Sequence, residues 1–517
     1  MAFRIRRALE DIQAEYLAGD TKALETLMRA WKGIKDLPPD DPNSFFMIGG
    51  FHGEPFRGAG WGSSAYWGGY CNHGNVLFPT WHRAYLMRLE DALRSIPACE
   101  DVALPYWDET SEASLTKGVP WALTNETFSL DGGTIPNPLK SFVFPRNIFD
   151  RLSTIPDANY SKPKGYETVR YPLSGLVGTD ADKAATAAHN AQYTDKARSV
   201  ELLNANIVAW LNSTIIVNGK PVTGNSILYK YAKSLEAPNF TVFSNTTSQL
   251  EWRDVTGEPV VSLESPHNSI HLAVGGFDIP NNQVFSPISG ANGDMGENDT
   301  AGLDPIFFFH HCFVDRVFWL WQQKHNATDK LEIIAQYPGT NSVDSQGPAP
   351  GVAPNSWLTL ESPLDPFRLN DGTRERPYTS LDCINIETQM GYTYEPGSIP
   401  VVPADFADTL MSTRDIKVAG INRARIPGSF LVAAFLTIDG ERQLVGTEAI
   451  LSRWHVDGCA NCQTHVEAKA FIGLHPFAAS TVQNAQFEIE VRTRDGILKG
   501  PPALPASSAK AFSFEVR

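Results

Sequence analysis

The sequence predicts a mainly α-helical domain over residues 1–395, followed by a C-terminal β-sandwich domain over residues 396–517. Apolar residues recur at helical spacing in several segments of the first part. Beyond Tyr394 the pattern changes to apolar runs rich in Val, Ile, Phe and Thr, which are separated by turn residues. The length of 517 residues, about three times that of a common domain, agrees with more than one domain.

Four helices are predicted in the first part from their apolar patterns. They cover residues 4–33, 80–96, 265–272 and 303–325. Two other segments, residues 110–200 and 325–380, are rich in Pro, Gly, Ser and Asp and show little periodicity. We expect these two segments to be long surface excursions from a helical body.

Three strands are predicted in the second part. They cover residues 430–438, 443–452 and 485–493, and Asp-Gly turns occur at 439–440 and 495–496. Apolar runs bounded by Asp-Gly turns are typical of antiparallel strands. A β region of roughly 120 residues has the size of a sandwich domain, so we expect that architecture here.

The composition is that of a folded protein and excludes several partners. Hydrophobic residues make up 42% of the chain, which is enough for a buried core. The 43 basic and 58 acidic residues give a formal charge of −15, so we expect no nucleic-acid partner. No uninterrupted apolar run reaches the roughly 20 residues of a membrane span, and residues 8–15 lack the apolar core of a signal peptide. We therefore expect a cytoplasmic protein without a membrane partner.

The twelve histidines are distributed unevenly along the chain. Seven of them form three groups, which are His52, His73 and His82; His267 and His271; and His310 and His311. A helix places His267 and His271 on one face because they are four residues apart, and there both imidazoles can bind one ion. Taken alone, this pair could also be two hydrogen-bonded core histidines.

His310 and His311 lie in strongly apolar sequence, close to Asp315. Buried polar groups need partners, and a metal ligand held by a neighbouring carboxylate meets that need. The motifs HExxH, GxSxG and GxGxxG do not occur in the sequence, so protease, hydrolase and dinucleotide-binding classes lack their signatures. Imidazole ligands without carboxylates are typical of copper or zinc. Six imidazoles arranged as three plus three would bind a pair of metal ions.

Two segments that carry these histidines resemble the copper-binding segments of the tyrosinase family, the type-3 copper proteins that include catechol oxidases and haemocyanins. The first segment, residues 52–82, contains Cys71-Asn-His73 and Phe78-x-x-Trp-His82-Arg-x-Tyr. The second, residues 264–321, contains Pro266-His267-Asn-x-x-His271 and Asp304-Pro-Ile-Phe-x-x-His-His311-x-x-x-Asp315-Arg-x-x-x-x-Trp321. In this family a pair like Tyr392-Thr-Tyr394 closes the catalytic domain near an N-terminal arginine such as Arg6, and here it falls at the compositional boundary.

The resemblance implies a four-helix bundle that surrounds two copper ions. It assigns His52, His73 and His82 to one copper and His267, His271 and His311 to the other. His310 is then a neighbour of the ligands or a core residue. The remaining histidines are expected to be surface or structural residues; they are His189, His325, His455, His465 and His475.

Cys71 stands two residues before His73. The resemblance to fungal-type and plant-type members implies a thioether between the sulfur of Cys71 and a ring carbon of His73. Such a bond would fix the orientation of the imidazole, as contacts behind a metal ligand otherwise do. A buried free thiol is the alternative.

Glu264 and Asn268 flank His267 in the sequence. By resemblance to hydroxylating members, they are implied to hold an ordered water that accepts the proton of a phenol, which makes them the candidate catalytic residues. Glu264 is also favourable as a negative charge at the start of a helix. A structural role is therefore the alternative.

The second domain contains Cys459-Ala-Asn-Cys462. Thiolates suit Cu(I), and similar fungal-type tyrosinases carry such a motif in a domain that covers the active site, which implies a role in copper loading. A structural pair of cysteines in a turn is the alternative. Residues 449–454 are expected to reach toward the copper pocket as a lid, with Ile450, Leu451 and Trp454 as the candidate residues.

The resemblance implies a copper-dependent monophenol monooxygenase and o-diphenol oxidase, which forms o-quinones of the kind that give melanin. Phenolic small molecules and O₂ are the expected partners, and a homo-oligomer is compatible with the family. Two alternatives stay open: a catechol oxidase without monophenol activity, and a haemocyanin-like oxygen carrier. Glu264 with Asn268 favours hydroxylation, and a single catalytic unit with one β domain favours an enzyme.

Overall fold

The structure is a computed structural model. It describes residues 3–53, 69–149, 161–175, 179–217, 220–279, 293–343, 349–370, 374–400, 414–438, 440–452, 467–500 and 512–516.

The α-helices of these residues lie mostly before residue 325. They are α1 (Leu9–Leu17), α2 (Lys22–Asp36), α3 (Phe45–Gly50), α4 (Phe78–Arg94), α5 (Glu112–Lys117), α6 (Asp180–Asn190), α7 (Lys196–Asn212), α8 (Ile227–Ser234), α9 (Phe240–Ser244), α10 (Thr246–Thr256), α11 (Glu264–Gly275), α12 (Ile306–Lys324) and α13 (Ala479–Asn484).

The strands form small hairpins in the first part and two larger sheets near the C-terminus. They are β1 (Arg4–Arg6), β2 (Thr127–Leu130), β3 (Gly133–Pro136), β4 (Ile148–Phe149), β5 (Ser161–Lys162), β6 (Thr214–Val217), β7 (Lys220–Thr223), β8 (Pro363–Asn370), β9 (Glu375–Thr379), β10 (Tyr392–Tyr394), β11 (Asp415–Asn422), β12 (Phe430–Ile438), β13 (Glu441–Ile450), β14 (Glu467–Gly473), β15 (Gln486–Thr493), β16 (Gly496–Gly500) and β17 (Ser513–Val516).

The helical core is organised around α12, which packs against α4 and α11. Helix α11 in turn contacts α7 and α8, and α2 contacts α1 and α4. Aromatic rings fill the space between these helices: Trp31 of α2 stacks on Phe309 of α12 at 5.7 Å and meets Phe45 of α3 edge-on at 5.3 Å between ring centroids. Tightly packed rings of this kind hold the helices in fixed relative positions.

The prediction of one helix over residues 4–33 was wrong. This segment contains strand β1, helix α1 and the larger part of helix α2. Helix α1 ends because Gly19 adopts a left-handed conformation with φ of +101°, a common way to terminate a helix. The three other predicted helices correspond to α4, α11 and α12, with bounds that differ by three residues or fewer.

The first and last strands of the helical body pair with each other. Strand β1 runs parallel to β10, with Arg4 opposite Tyr392 and Arg6 opposite Tyr394. The buried guanidinium of Arg6 donates to the Tyr394 hydroxyl at 3.1 Å and lies 3.7 Å from the centre of the Tyr392 ring. The resemblance implied this neighbourhood of Arg6 and the tyrosine pair, and the structure contains it.

The expectation of surface excursions was wrong for parts of both segments. Leu123, Phe128, Phe142 and Phe144 belong to the main hydrophobic cluster, so this stretch is part of the core. Phe367 of β8 is buried as well, and its ring lies 5.2 Å from that of Trp81 on α4. Pro, Gly and polar residues dilute the apolar pattern in these segments, although their few aromatic residues are buried.

The C-terminal region contains two antiparallel sheets. One has the strand order β14-β11-β17 and the other β13-β12-β15-β16. Inner residues of both sheets, among them Val418, Val432, Ile472 and Val491, belong to one hydrophobic cluster. The three predicted strands correspond to β12, β13 and β15.

This region also packs on the helical body. Leu431, Ala449 and Leu451 belong to the main hydrophobic cluster together with the helices. Buried ion pairs join Arg253 of α10 to Asp415 and Lys230 of α8 to Glu448. None of the helices in the described residues is long and apolar enough to span a membrane.

Candidate metal centre

The first predicted histidine group comes together from three separate segments. His52 follows α3, His73 lies in the loop before α4, and His82 is in the second turn of α4. The ring centroids of His52 and His73 are 5.1 Å apart, those of His73 and His82 are 5.2 Å apart, and those of His52 and His82 are 5.8 Å apart. All three rings are buried. The structure therefore brings these three histidines together.

The second group lies on two packed helices. His267 and His271 point from α11 toward His311 on α12, and the His311 Nε2 atom is 3.1 Å from His267 Nε2 and 3.4 Å from His271 Nε2. The two groups are adjacent, because the rings of His82 and His311 stack with centroids 4.4 Å apart. Two metal positions would therefore be neighbours.

Neighbouring oxygen atoms fix which ring nitrogen of each histidine carries hydrogen. A carbonyl oxygen can only accept, so each Nδ1 must donate where it faces one. The Nδ1 atoms of His52, His82 and His271 donate to the carbonyl oxygens of Asn298 (3.0 Å), Phe78 (2.8 Å) and Met295 (2.7 Å), respectively. In each of these rings Nε2 keeps its lone pair for a ligand.

Burial keeps these imidazoles neutral. Burial, together with a smaller effect of neighbouring histidines, lowers the pKa of His82 and of His271 to about 3 each. Burial likewise holds the pKa of His267 and of His311 well below the ordinary value. A neutral imidazole is the form that binds a metal.

The nitrogen positions fit a metal ion. Imidazole nitrogens bind zinc at about 2.0–2.1 Å, which places the nitrogens of a tetrahedral site about 3.3 Å apart. The Nε2 distances of 3.1 and 3.4 Å around His311 match that spacing. The Nε2 atom of His82 is buried without a hydrogen-bond partner, which a bound ion would supply. A donor set of imidazoles without carboxylates suits copper.

His310 is also buried beside the second group, and it has a different set of partners. Its Nδ1 atom lies 2.6 Å from Glu109 Oε1, while Glu109 Oε2 accepts a hydrogen bond from the Tyr231 hydroxyl at 2.7 Å. Burial raises the pKa of Glu109 well above its usual value. Sequence reasoning missed Glu109 and Tyr231. The only signal was a pair of acidic residues, Asp108 and Glu109, directly after the apolar run 102–107.

Cys71 lies beside the first group. Its sulfur and ring nitrogens of His52 and His73 all lie within 4.8 Å of one another. The Asn298 amide donates to the same sulfur at 3.8 Å. The structure thus brings Cys71 next to the ligand with which a thioether was predicted.

Glu264 and Asn268 are both buried next to the histidines. Asn268 Oδ1 accepts a hydrogen bond from His267 Nδ1 at 2.9 Å, so it orients that ring. Glu264 Oε1 accepts from the backbone of Gly74 at 2.7 Å, and its Oε2 accepts from the backbone and hydroxyl of Thr246 at 2.8 and 3.0 Å. Burial raises the pKa of Glu264, although these hydrogen bonds oppose the shift. Glu264 therefore links α11 to the loop of His73.

The structure describes only some of the residues that were predicted to be functional in the C-terminal region. Cys459, Cys462 and Trp454 lie outside the described residues. Leu451 is buried in the main cluster with the helices, whereas Ile450 packs against the second cluster, which contains residues of both C-terminal sheets. Of the two candidates that the structure describes, Leu451 is the one directed to the helical body.

Of the histidines expected to be structural, three can be assessed. His189 is buried and its Nε2 donates to the Pro172 carbonyl at 2.7 Å. His325 Nε2 donates to the Leu235 carbonyl at 2.9 Å, and the His475 ring stacks on Tyr229 at 4.2 Å. His455 and His465 lie outside the described residues.

Two adjacent groups of buried neutral imidazoles on a helical core define a metal-dependent protein with histidine ligands. The family model "Common central domain of tyrosinase" matches residues 42–324, more than half of the chain. The chain therefore belongs to the tyrosinase family.

Two characterised relatives and two solved structures extend the match. The tyrosinase HcTyr2 of Hahella sp. (strain CCB-MM4) is 51% identical over 95% of this chain and 92% of its own. A tyrosinase of Aspergillus oryzae is 46% identical over 91% of this chain and 88% of its own. The structures of a Burkholderia thailandensis tyrosinase at low and at high pH have TM-scores of 0.86 and 0.81 and identities of 48% and 44%. They cover 99% and 100% of this chain and all of their own chains.

These similarities establish an enzyme of the tyrosinase type. The family has a binuclear copper centre, and this chain has two buried histidine groups that can hold two metal ions. Members of the family act on phenols with O₂.

Proposed function

We propose that this enzyme is a tyrosinase that both hydroxylates monophenols at the ortho position and oxidises o-diphenols to o-quinones. The observation that carries the proposal is the position of Glu264. Its buried carboxylate joins the start of α11, which bears His267 and His271, to Gly74, the residue after His73. A proton acceptor in that place serves a phenol bound at either histidine group.

The arrangement of lone pairs supports the ligands that we propose for the two copper ions. His52, His73 and His82 hold one copper, and His267, His271 and His311 hold the other. The support is the convergence of Nε2 atoms at His311 and the carbonyl acceptors behind three of the rings. The bound copper ions supply the activation of O₂. The chain supplies buried, neutral ligands of fixed orientation.

The proton of the phenol is the part of the reaction that the chain itself handles. Burial favours the protonated form of Glu264, so its carboxylate is a stronger base than an exposed one. Each carboxylate oxygen can accept two hydrogen bonds, which leaves Oε1 of Glu264 room for a water. Asn268 holds His267 in place and its amide nitrogen can orient that water, so a phenol proton would pass through the water to Glu264.

A catechol oxidase is the second candidate, because one observation favours it. Both polar residues already have partners within the chain: Asn268 Oδ1 binds His267, and Glu264 binds Gly74 and Thr246. If these contacts are their whole role, monophenol hydroxylation lacks its base. An oxygen carrier like haemocyanin is the remaining alternative.

We further propose a catalytic domain over residues 1–395, with a four-helix bundle at its centre, and a C-terminal β sandwich over residues 396–517 that covers the pocket. The burial of Leu451 in the main hydrophobic cluster with the helices supports this covering role. Cys459 and Cys462 are proposed to aid copper loading, and Cys71 to form a thioether with His73. The thioether makes the intact chain lighter by the mass of the displaced hydrogens, and Cys71 would then resist alkylation after denaturation.

One experiment tests the function. The purified protein is loaded with copper, the copper per chain is measured, and turnover of tyrosine and of a simple catechol is followed as quinone formation. Two copper ions per chain with turnover of both substrates are expected. Catechol turnover alone would favour the catechol oxidase, and reversible O₂ binding without turnover would favour the carrier.

A further inference from the structure

The helix that carries His267 and His271 has a second polar side. Ser265 and Ser269 are also four residues apart, and each precedes a histidine by two residues. With 3.6 residues per turn, the serines lie about 200° around α11 from the histidines. Ser265 and Ser269, here termed the serine face, are each only 1% exposed, so their hydroxyls need partners inside the protein.

The partner of the serine face comes from the C-terminal region. Ser265 Oγ donates to Glu448 Oε1 on β13 at 2.7 Å. Ser269 Oγ donates to the Ser265 carbonyl at 3.0 Å and lies 3.3 Å from the ammonium nitrogen of Lys230. The serine face therefore meets one carboxylate and one ammonium group.

Glu448 and Lys230 form a buried ion pair behind α11. Lys230 Nζ donates to Glu448 Oε2 at 2.9 Å and to the Thr447 carbonyl at 3.0 Å. The two side chains are 6% and 10% exposed. Hydrogen bonds to buried charged groups are stronger and more directional than neutral ones. The carboxylate thus binds α8 with one oxygen and α11 with the other.

We propose that Glu448 is a positioning residue for the second histidine group. Strand β13 holds α11 by its serine face, and this contact sets the depth and rotation at which His267 and His271 face His311. The proposal rests on the proposed function, because copper binding at this group is what the positioning serves. The C-terminal region then supports the metal centre from behind in addition to covering it.

The geometry of the second group explains why such support matters. The nitrogens that converge come from two helices, with His267 and His271 on α11 and His311 on α12. A shift of α11 against α12 therefore changes the nitrogen spacing directly. The N-terminus of α11 has no capping side chain, so the hydrogen bonds of Glu264 and of Ser265 are polar contacts that hold its first turn.

The test compares two buried glutamates of the same sheet in full-length, copper-loaded protein. Glu448→Ala removes the proposed support, and Glu448→Gln keeps an oxygen that can accept from Ser265. Glu490→Ala is the matched control: Glu490 on β15 is buried, and Arg442 and Arg492 donate to it at 2.7 and 3.1 Å. The readouts are the rate of copper loss to bathocuproine disulfonate after reduction, kcat and KM for catechol, and the urea midpoint.

We expect Glu448→Ala to release copper faster than the unchanged protein. Its kcat should fall by about 10-fold or more, the usual cost of losing a contact behind a metal ligand, and its KM should be nearly unchanged. Glu448→Gln should recover most of this loss. Glu490→Ala should lower the urea midpoint and release copper at the rate of the unchanged protein. Equal rates of copper release from Glu448→Ala and Glu490→Ala would overturn the proposal. So would a Glu448→Gln variant that releases copper as fast as Glu448→Ala.

If Glu448→Ala does not fold, Ser265→Ala removes only the helix side of the contact. Faster copper release from this variant with an unchanged urea midpoint supports the proposal, and unchanged release contradicts it. Failure of the proposed function is a separate result, because it would appear as a lack of copper or of phenol oxidation in the unchanged protein.

Discussion

At the scale of single residues, hydrogen-bond acceptors determine the chemistry of the histidines. Backbone carbonyls hold Nδ1 of His52, His82 and His271, and a side-chain oxygen holds Nδ1 of His267. In each ring the hydrogen is therefore on Nδ1 and the lone pair is on Nε2. Of these four acceptors, only Asn268 Oδ1 belongs to a side chain, so it is the one that a point mutation can remove.

Asn268→Leu is expected to depress monophenol turnover by about 10²–10⁴, the usual effect of losing a general base, because the water that accepts the phenol proton loses its amide contact. Catechol turnover should fall by about 10–100-fold, since His267 also loses its orienting partner. Steady-state rates for both substrates at equal copper content give the ratio.

Asn268→Asp serves as its control, because an aspartate still offers an oxygen to His267 Nδ1. Recovery of catechol turnover in Asn268→Asp would separate orientation of the ligand from proton transfer. An equal loss of both activities in Asn268→Leu would mean that Asn268 acts only on His267.

Glu109→Ala should destabilise the copper-free protein by about 2–6 kcal/mol, because His310 Nδ1 and the Tyr231 hydroxyl would each remain buried without a partner at about 1–3 kcal/mol apiece. Urea unfolding measures the change. Tyr231→Phe removes only one of the two contacts, so it should lower the free energy of unfolding by less than half as much as Glu109→Ala. A small effect of Glu109→Ala would show that water can replace the carboxylate.

At the scale of secondary-structure elements, the sequence was most informative where an apolar pattern is regular. Helices α4, α11 and α12 and strands β12, β13 and β15 were predicted within three residues, because each keeps one period along its length. The break between α1 and α2 was missed, since apolar residues on both sides of Gly19 continue with helical spacing.

The candidate site was predictable in part for a similar reason. The ligands lie in short local motifs, which a single segment of sequence displays. Glu109 and Glu448 act on partners 201 and 183 residues away in the chain. The local sequence does not show the partner of either residue, because each role depends on how the fold brings distant segments together.

The contact between α8 and the loop after β14 should make the protein sensitive to acid. Burial lowers the pKa of His475, whose ring stacks on Tyr229, to about 3. This is below the unfolded value of about 6.5, so its contribution to stability is complete above pH 6.5 and is lost as the pH falls toward 3. At pH 5 the loss amounts to about 2 kcal/mol.

The measurement is urea unfolding of the protein and of His475→Gln at pH 8, 6.5 and 5. The copper histidines titrate in both proteins, so the difference between the two isolates His475. We expect the variant to gain about 2 kcal/mol relative to the unchanged protein between pH 8 and pH 5. A difference that does not depend on pH would contradict the neutral state of the half-buried His475 ring.

At the scale of the whole molecule, the helical body and the C-terminal sheets share one hydrophobic cluster and two buried ion pairs. A chain that ends after residue 395 would expose the surface now covered by Leu431 and Leu451 and would leave Lys230 and Arg253 without their carboxylates. We expect this truncated protein to be poorly soluble and to contain much less copper per chain. Gel filtration and copper analysis of the soluble fraction measure both properties.

Adding residues 396–517 as a separate chain during expression is the control for this truncation. Recovery of solubility and copper would show that the region acts through its contacts. If the truncated protein is soluble and fully loaded without it, the region serves only as a cover.

The pairing of β1 with β10 also places one set of contacts late in the order of synthesis. Arg6 and Tyr394 are 388 residues apart in the chain, so these two strands cannot pair until residue 394 has been synthesised. Helices α4 and α12 meet at Asp315, which binds both Arg83 and Tyr394. The last of the contacts around Asp315 is therefore made only after every histidine of both groups has been synthesised.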